Sequence, residues 1–396
     1  MPQISNRADK IQESPIRKFI PFAKEAKQKG VQVYHLNIGQ PDIETPPEFW
    51  QAIQNYSSKV LAYGDSQGEK EYLEVLASYY QRNNLVIEPE HIVATTGGSE
   101  AILFSFLLIT DPGDNIIVFE PFYTNYNGLA TQAGINLIPI ETKVEDGFHL
   151  PPREVIEKAI NSKTRGIIIC NPNNPTGTVF TRSEMQMLVD LIRDHKIFII
   201  SDEAYREFVF EGEPISIFDF PGVDDLTIMA DSISKRFSVC GARIGNLVVK
   251  NKKIHSAAIK LGQARLSAPV LEQFGAVAAL GLGSNYLPEI ISEYKKRRDI
   301  VFEGVMNIKG VVCQKPAGAF YAMVKLPISN AENFVKFMLT EFSVDNKTVM
   351  VAPGAGFYAT PGKGLDECRI AYVLNTDDLI DAMKILKLGI EAFNNQ

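Results

Sequence analysis

The sequence predicts an α/β protein: a large domain on a mainly parallel sheet wrapped by helices, then a smaller α+β unit. Three observations carry this. From residue 92 short apolar runs alternate with helical patterns, as in strands joined by crossover helices. Several of those runs are apolar throughout, as strands covered on both faces must be. After residue 250 the alternation gives way to longer helical patterns and a few strand-like segments.

The elements follow in order. The basic segment Pro15 to Gly30 places Ile16, Phe19, Ile20, Phe22 and Ala23 at helical spacing and reads as an N-terminal arm or helix. Val33 to Ile38 is a short strand closed by Gly39-Gln40-Pro41-Asp42. Ile92 to Thr95, Ile116 to Phe119, Ile135 to Ile140 and Gly166 to Cys170 read as strands. So do Ile197 to Ser201, Thr227 to Ala230 and Gly245 to Val249. Between them lie helices over Ser99 to Ile109, Phe122 to Ala133, Arg153 to Ile160 and Ser183 to His195. Helical patterns then run over Lys253 to Ala264, Val270 to Leu280 and Asn285 to Met306. Val311 to Leu326, Val349 to Ala352 and Cys368 to Val373 are strand-like, with helices near 332–341 and 377–393.

Composition narrows the function. The chain has 396 residues, 45% hydrophobic and 22% charged, ordinary globular values that exclude long disorder, collagen-like repeats and coiled coil. Its net charge of −7 leaves no electrostatic footprint for nucleic acid. The cysteines at 170, 240, 313 and 368 form no Cys-x-x-Cys pair, and the five histidines are scattered, so neither a metal site nor a disulfide framework is expected. Reduced thiols point to the cytoplasm. Met1 to Glu13 has no apolar h-region, and the apolar stretch near Ala101 to Ile109 is too short to cross a bilayer, so no membrane partner is expected.

Four motifs carry chemistry. In Ser232-Ile233-Ser234-Lys235 a lysine follows two alternating serines just after a buried strand, and Arg243 lies eight residues on between glycines. Hydroxyls and a guanidinium suit a phosphate, with the amine poised to form a Schiff base nearby; a surface loop would also hold such residues. Ser201-Asp202-Glu203-Ala204-Tyr205 ends an apolar strand. A carboxylate there can hold a heterocyclic nitrogen protonated, although an acidic helix cap fits it equally. Asn171-Pro172-Asn173-Asn174-Pro175-Thr176-Gly177 also follows a core strand, so Asn174 can offer its amide to a ligand oxygen, while a plain turn uses the same residues. Thr95-Thr96-Gly97-Gly98-Ser99 runs from strand through paired glycines to a helix start, an anion cradle that is neither Walker A nor Gly-x-Gly-x-x-Gly.

Taken in this order and spacing, from Asn37-Ile38-Gly39-Gln40-Pro41-Asp42 to Cys368-Arg369-Ile370-Ala371-Tyr372, the segments resemble the fold-type I pyridoxal-phosphate aminotransferases of class I/II, the aspartate aminotransferase superfamily. The resemblance implies a seven-stranded sheet and three regions: an N-terminal arm with part of the small domain (1–45), a large cofactor-binding domain (46–285) and a small domain (286–396). It implies pyridoxal 5′-phosphate as cofactor. It matches Lys235 to the Schiff-base lysine that also shuttles the substrate proton, and Asp202 to the partner of the pyridinium nitrogen. Tyr205 and Asn174 match the residues that hydrogen-bond the cofactor's ring oxygen, and Ser232, Ser234 and Arg243 the phosphate ligands. Gly98 and Ser99 look like backbone donors to the same phosphate. Tyr123 sits where the family stacks an aromatic ring, and Tyr63 resembles a tyrosine that reaches the partner subunit's phosphate. Arg369 matches the arginine that grips the substrate α-carboxylate, and Gly39 the glycine whose backbone lies beside it.

The implied activity is amino-group transfer from an L-amino acid to a 2-oxo acid, 2-oxoglutarate by family habit, in a homodimer with shared sites. Aspartate is the first donor to expect, and aromatic, alanine-type, methionine or kynurenine-type donors stay open. A carbon–sulfur β-lyase would use the same Lys235 and Asp202. A regulatory cofactor-binding module would need a DNA-binding unit, for which the roughly 30 residues before the first strand leave no room. Two departures stand out. Ser99 fills a position where some members carry lysine, so a cation for a distal carboxylate must come from elsewhere, with Arg265 and Arg17 as candidates. Ser267-Ala268-Pro269 stands where Ser-Asn-Pro is common.

Overall fold

Twelve strands organise the chain in a computed structural model that describes residues 2–283 and 285–396, with Met1 and Ser284 outside the described residues. They are β1 (Gln32–His35), β2 (Ile92–Thr96), β3 (Asn115–Glu120), β4 (Asn136–Glu141), β5 (Thr164–Cys170) and β6 (Phe198–Asp202). Then come β7 (Thr227–Ser232), β8 (Ile244–Val248), β9 (Tyr321–Lys325), β10 (Lys347–Met350), β11 (Ala352–Pro353) and β12 (Glu367–Ala371). Seven form one sheet in the order β2-β8-β7-β6-β5-β3-β4. Every neighbouring pair is parallel except those made by β8, which runs against β2 and β7.

The apolar runs follow from this placement. Successive side chains of a strand face opposite sides. Ile168, Ile200 and Ile228 pack toward the helices Gly97–Ile109 and Asn125–Ala133. Ile167, Ile169 and Ile199 pack on the other side against Met185, Leu188 and Leu191 of the helix Arg182–His195. Each such side chain, fully buried, contributes about 1.5–3 kcal/mol.

The register decides where the site falls. Cys170 lies opposite Asp202, and Asp202 opposite Ala230, so β5 and β6 end together and β7 runs two residues further, to Ser232. Thr96 at the end of β2 pairs with Ile244 at the start of β8. The antiparallel strand therefore brings Arg243 to the edge where Gly97 begins a helix. Two smaller sheets complete the fold. β12 pairs antiparallel with β11 and β9, and β1 pairs in parallel with β10. The Ala371 N–H donates to the Leu36 carbonyl, which sets Asn37–Gly39 beside the strand that carries Arg369.

The predicted elements are present with several differences. The strand expected over 349–352 is divided between β10 and β11 in different sheets, the strand expected over 33–38 ends at His35, and a short helix, Asn6–Lys10, precedes the expected ones. The helix expected from Phe122 starts at Asn125, and the Phe122 N–H donates to the Phe357 carbonyl across the molecule. The segment 311–326 is not one strand. Only Tyr321–Lys325 is, while the Gly318 and Ala319 N–H groups bond the carbonyls of Gly177 and Phe208 instead of a ladder. Two helices, Pro47–Gln54 and Lys70–Arg82, fill a region the apolar pattern leaves unassigned.

Candidate active site

Lys235 lies in the turn after β7. Its Nζ donates to the Gly39 carbonyl at 2.8 Å, with Cys240 Sγ at 3.7 Å. The rings of Tyr205 and Phe320 stand 5.9 Å away. The turn is tied from behind. Arg236, fully buried, donates through Nη2 to both oxygens of Asp231 at 2.6 and 2.7 Å, and Tyr80 Oη donates to Asp231 Oδ2 at 2.7 Å. Burial alone would raise the Asp231 carboxyl, but Arg236 and Arg206 hold it below its usual range. Residues 231 and 236 thus close a loop around Ser232, Ser234 and Lys235.

Asp202 ends β6 and is buried. Its Oδ2 accepts from Tyr126 Oη at 2.8 Å and its Oδ1 from the Ala204 N–H at 3.2 Å. Neither oxygen has a cation in hydrogen-bond reach among the described residues, and burial pushes the carboxyl up to about 6.

Arg369 is buried at the middle of β12. Its Nη1 donates to Asn174 Oδ1 at 2.9 Å and its Nη2 to the Asn37 carbonyl at 2.6 Å. Its Nε has no partner among the described residues. The guanidinium lies 4.5 Å from the Tyr321 ring centroid and 4.9 Å from that of Phe357. Burial lowers its affinity for its proton, as for any cation removed from water. Asn174 Nδ2 faces Tyr205 Oη at 3.4 Å, and Tyr205 Oη lies 2.8 Å from Tyr321 Oη. A side-chain carbon on Gly39 would collide with the Tyr321 hydroxyl, so this approach requires glycine.

The anion cradle forms at the β2–β8 end. Ser232 Oγ donates to Ser234 Oγ at 2.8 Å, and the helix Gly97–Ile109 presents Gly98 and Ser99 in its first turn. Gly97 has φ +74° and Arg243 φ +56°. A side chain at Gly97 would run into the Arg243 guanidinium. Tyr123 stands edge-on to Tyr126, with ring centroids 5.5 Å apart, and burial pushes its hydroxyl up to about 12.

The fold therefore gathers Gly39, Gly98, Ser99, Tyr123, Asn174, Asp202, Tyr205, Ser232, Ser234, Lys235, Arg243 and Arg369 around the strand ends. It does not bring Tyr63 in from the same chain, where that side chain is 80% exposed. Arg265 is held by Glu100 at 3.0 Å and by the carbonyls of Ala94 and Ser66, so it is not available for a substrate carboxylate. Arg17 is exposed. Sequence reasoning missed Tyr126, Tyr321 and Phe357. Tyr126 lies three residues after Tyr123, and its N–H bonds the Tyr123 carbonyl, a local spacing that could have flagged it. Nothing local marks the other two.

The residues fit pyridoxal phosphate. A buried carboxylate without a cation suits a protonated ring nitrogen. Glycine at 97 keeps the cradle between the helix start and Arg243 clear of side-chain atoms, as a phosphate needs. Lys235 supplies the only side-chain amine in contact with Gly39 among the described residues.

Comparison with known proteins extends this. Residues 31–384 match the family Aminotransferase class I and II. The chain is 31% identical over 375 residues to the aspartate aminotransferase of Sulfurisphaera tokodaii, covering 92% of each. It is 30% identical over 374 residues to the aspartate/prephenate aminotransferase of Thermus thermophilus, covering 91% of this chain and 92% of that one. Among solved structures, an alanine aminotransferase from Pyrococcus furiosus superposes with a TM-score of 0.89 at 30% identity, covering 98% of this chain and 100% of that one. With a match over nearly its whole length and a cleft that fits the cofactor, this chain belongs to the class I and II aminotransferases, the transaminases that work with pyridoxal phosphate.

Proposed function

We propose that the enzyme transfers the amino group of aspartate to 2-oxoglutarate, with Lys235 as the proton-moving base and Arg369 as the carboxylate anchor. The observation that carries this is an unbroken chain of contacts. It runs from Lys235 through Gly39 and Tyr321 to Arg369, and from Arg369 through Asn174 to Tyr205.

When bound, pyridoxal phosphate supplies the electron sink that makes the substrate α-proton removable. Lys235 Nζ takes that proton from Cα. Asp202, desolvated and without a cation of its own, keeps a proton on the ring nitrogen. Asn174 and Tyr205 would hold the ring oxygen as hydrogen-bond donors, and Tyr123 would offer its ring to the cofactor. The Ser232 and Ser234 hydroxyls, Arg243 and the Gly98 and Ser99 N–H groups hold the phosphate. Arg369 has five N–H donors and spends two within the protein, which leaves a fork for the α-carboxylate beside Gly39. With Arg265 engaged, Arg17 is the candidate for a distal carboxylate. Its neighbour Ile16 packs in the cluster of Phe357, which lies against Arg369. Aspartate comes from the names of the two sequence relatives, and alanine from that of the structural one.

The enzyme acts as a homodimer in the cytoplasm, with a large domain over 46–285 and the small domain over 286–396 joined by 1–45. Trp50, Val60, Leu61, Tyr63 and Leu266 are exposed in the single chain, an apolar surface that suits a partner subunit and carries Tyr63 toward it. All four cysteines are free, as a reducing compartment requires. No described helix is long and apolar enough to cross a membrane.

The test is a visible absorption titration of the purified protein with single amino acids and no acceptor. Aspartate should convert the cofactor band to that of the aminated cofactor. A band that persists while pyruvate and ammonia appear would mean a carbon–sulfur lyase.

A further inference from the structure

We infer that Tyr321 is a positioning residue: its hydroxyl donates to Tyr205 Oη and so reserves the Tyr205 proton for the cofactor's ring oxygen. The inference rests on the proposal that Tyr205 meets that oxygen.

The argument is one of proton accounting. A tyrosine hydroxyl has one proton to give and two lone pairs to accept with. Arg369 has donors only, so Asn174 must turn Oδ1 toward it, which aims Nδ2 at Tyr205 Oη. One lone pair of Tyr205 is thereby spent. Tyr321 Oη lies 2.8 Å away, and Tyr205 is its one side-chain partner among the described residues. Gly39 packs against this hydroxyl, so no side chain from residue 39 competes for it.

Two proton arrangements fit that distance. If Tyr205 donated to Tyr321, it would face the ring oxygen with a lone pair. An anionic oxygen makes the stronger, charge-assisted bond, so the Tyr205 proton goes there and Tyr321 donates. Having accepted twice, Tyr205 is polarised into a better donor. The Tyr321 ring does a separate job, because it lies against the Arg369 guanidinium. Hydroxyl and ring therefore serve different ends of the substrate, and Tyr321→Phe removes one without the other.

The experiment uses the holoenzyme and reads the pH at which the bound cofactor's visible band is half changed. A donor to the ring oxygen favours its anionic form, so losing the donor raises that midpoint. Tyr205→Phe should raise it by about one unit or more, and Tyr321→Phe by roughly 0.3–1 unit, a two- to tenfold change in proton affinity. KM for the amino acid should stay within about twofold in Tyr321→Phe, because the ring remains. The double variant should match Tyr205→Phe alone. If Tyr205→Phe moves the midpoint and Tyr321→Phe does not, the inference is overturned and the role of Tyr205 stands. Additive shifts would also overturn it, by showing that Tyr321 does not act through Tyr205. If neither variant moves the midpoint, the assignment of Tyr205 has failed and the inference falls with it.

Discussion

Asp202 keeps a carboxylate at the end of β6 with hydrogen bonds but no cation, and that has a cost before any cofactor binds. In the cofactor-free protein its proton is held to about pH 6, against about 3.8 in the unfolded chain. Well below pH 3.8 the group is protonated in both states and costs nothing. As pH rises through 3.8 and past 6 the unfolded chain gives up its proton first, so stability falls by about 3 kcal/mol. Urea unfolding of cofactor-free wild type and Asp202→Asn across pH 3–7.5 should show the wild type losing about 3 kcal/mol more than the variant, since the buried Glu203 and Glu207 carboxyls titrate in both; parallel curves would refute it. At the carboxylate end, Arg369→Lys keeps the charge but loses the fork and the grip on Asn174. Its kcat/KM should fall roughly 10- to 150-fold, the worth of a charge-assisted hydrogen bond of about 1.5–3 kcal/mol. Steady-state kinetics decide it.

At the scale of elements, the turn after β7 owes its shape to the Asp231–Arg236 bridge. Removing one partner of a buried pair leaves the other charge stranded, at about 3–5 kcal/mol. Arg236→Met should therefore unfold at much lower urea, and Asp231→Asn with Arg236→Met should recover part of the loss. A double variant no better than the single one would mean that the bridge does not hold the turn. This bridge was not legible in the sequence, although Lys235 between its ends was. Strands such as β5 to β7 are legible because both of their faces are apolar, and the residues that follow them inherit a predictable edge. The helix Lys70–Arg82 hides its pattern because Tyr72, Tyr79 and Tyr80 fill its buried stripe, each with a polar tip turned to Asn246, Glu207 or Asp231. Tyr321 and Phe357 are illegible for another reason. Their partners Tyr205 and Arg369 are more than ten residues away in the chain, so only tertiary packing names them.

At the scale of the molecule, the large sheet meets the segment between β11 and β12 at Glu120. This buried carboxylate, at the end of β3, accepts from the N–H groups of Ala359 and Thr360 at 3.0 and 3.1 Å, just beyond Phe357. The clamp holds the segment that packs on Arg369. Glu120→Ala should free it at about 2–4 kcal/mol of local anchoring. KM for the amino acid should rise several-fold with kcat within about twofold, and amide exchange over 354–360 should quicken. An unchanged exchange rate in that segment would show that the clamp is idle.

The sheet order also sets a timetable for the ribosome. β2 is made early, yet its sheet partner β8 lies roughly 150 residues later, because the antiparallel strand inserts beside it. At about 5–20 residues per second, the growing chain carries an unpaired apolar edge for roughly 8–30 s of translation. The strands from β3 to β7 can assemble meanwhile, but the phosphate cradle cannot close until Arg243 and β8 have left the tunnel. Ribosome-bound chains halted before β8 has emerged should therefore be the ones that chaperones hold and that fail to retain the cofactor.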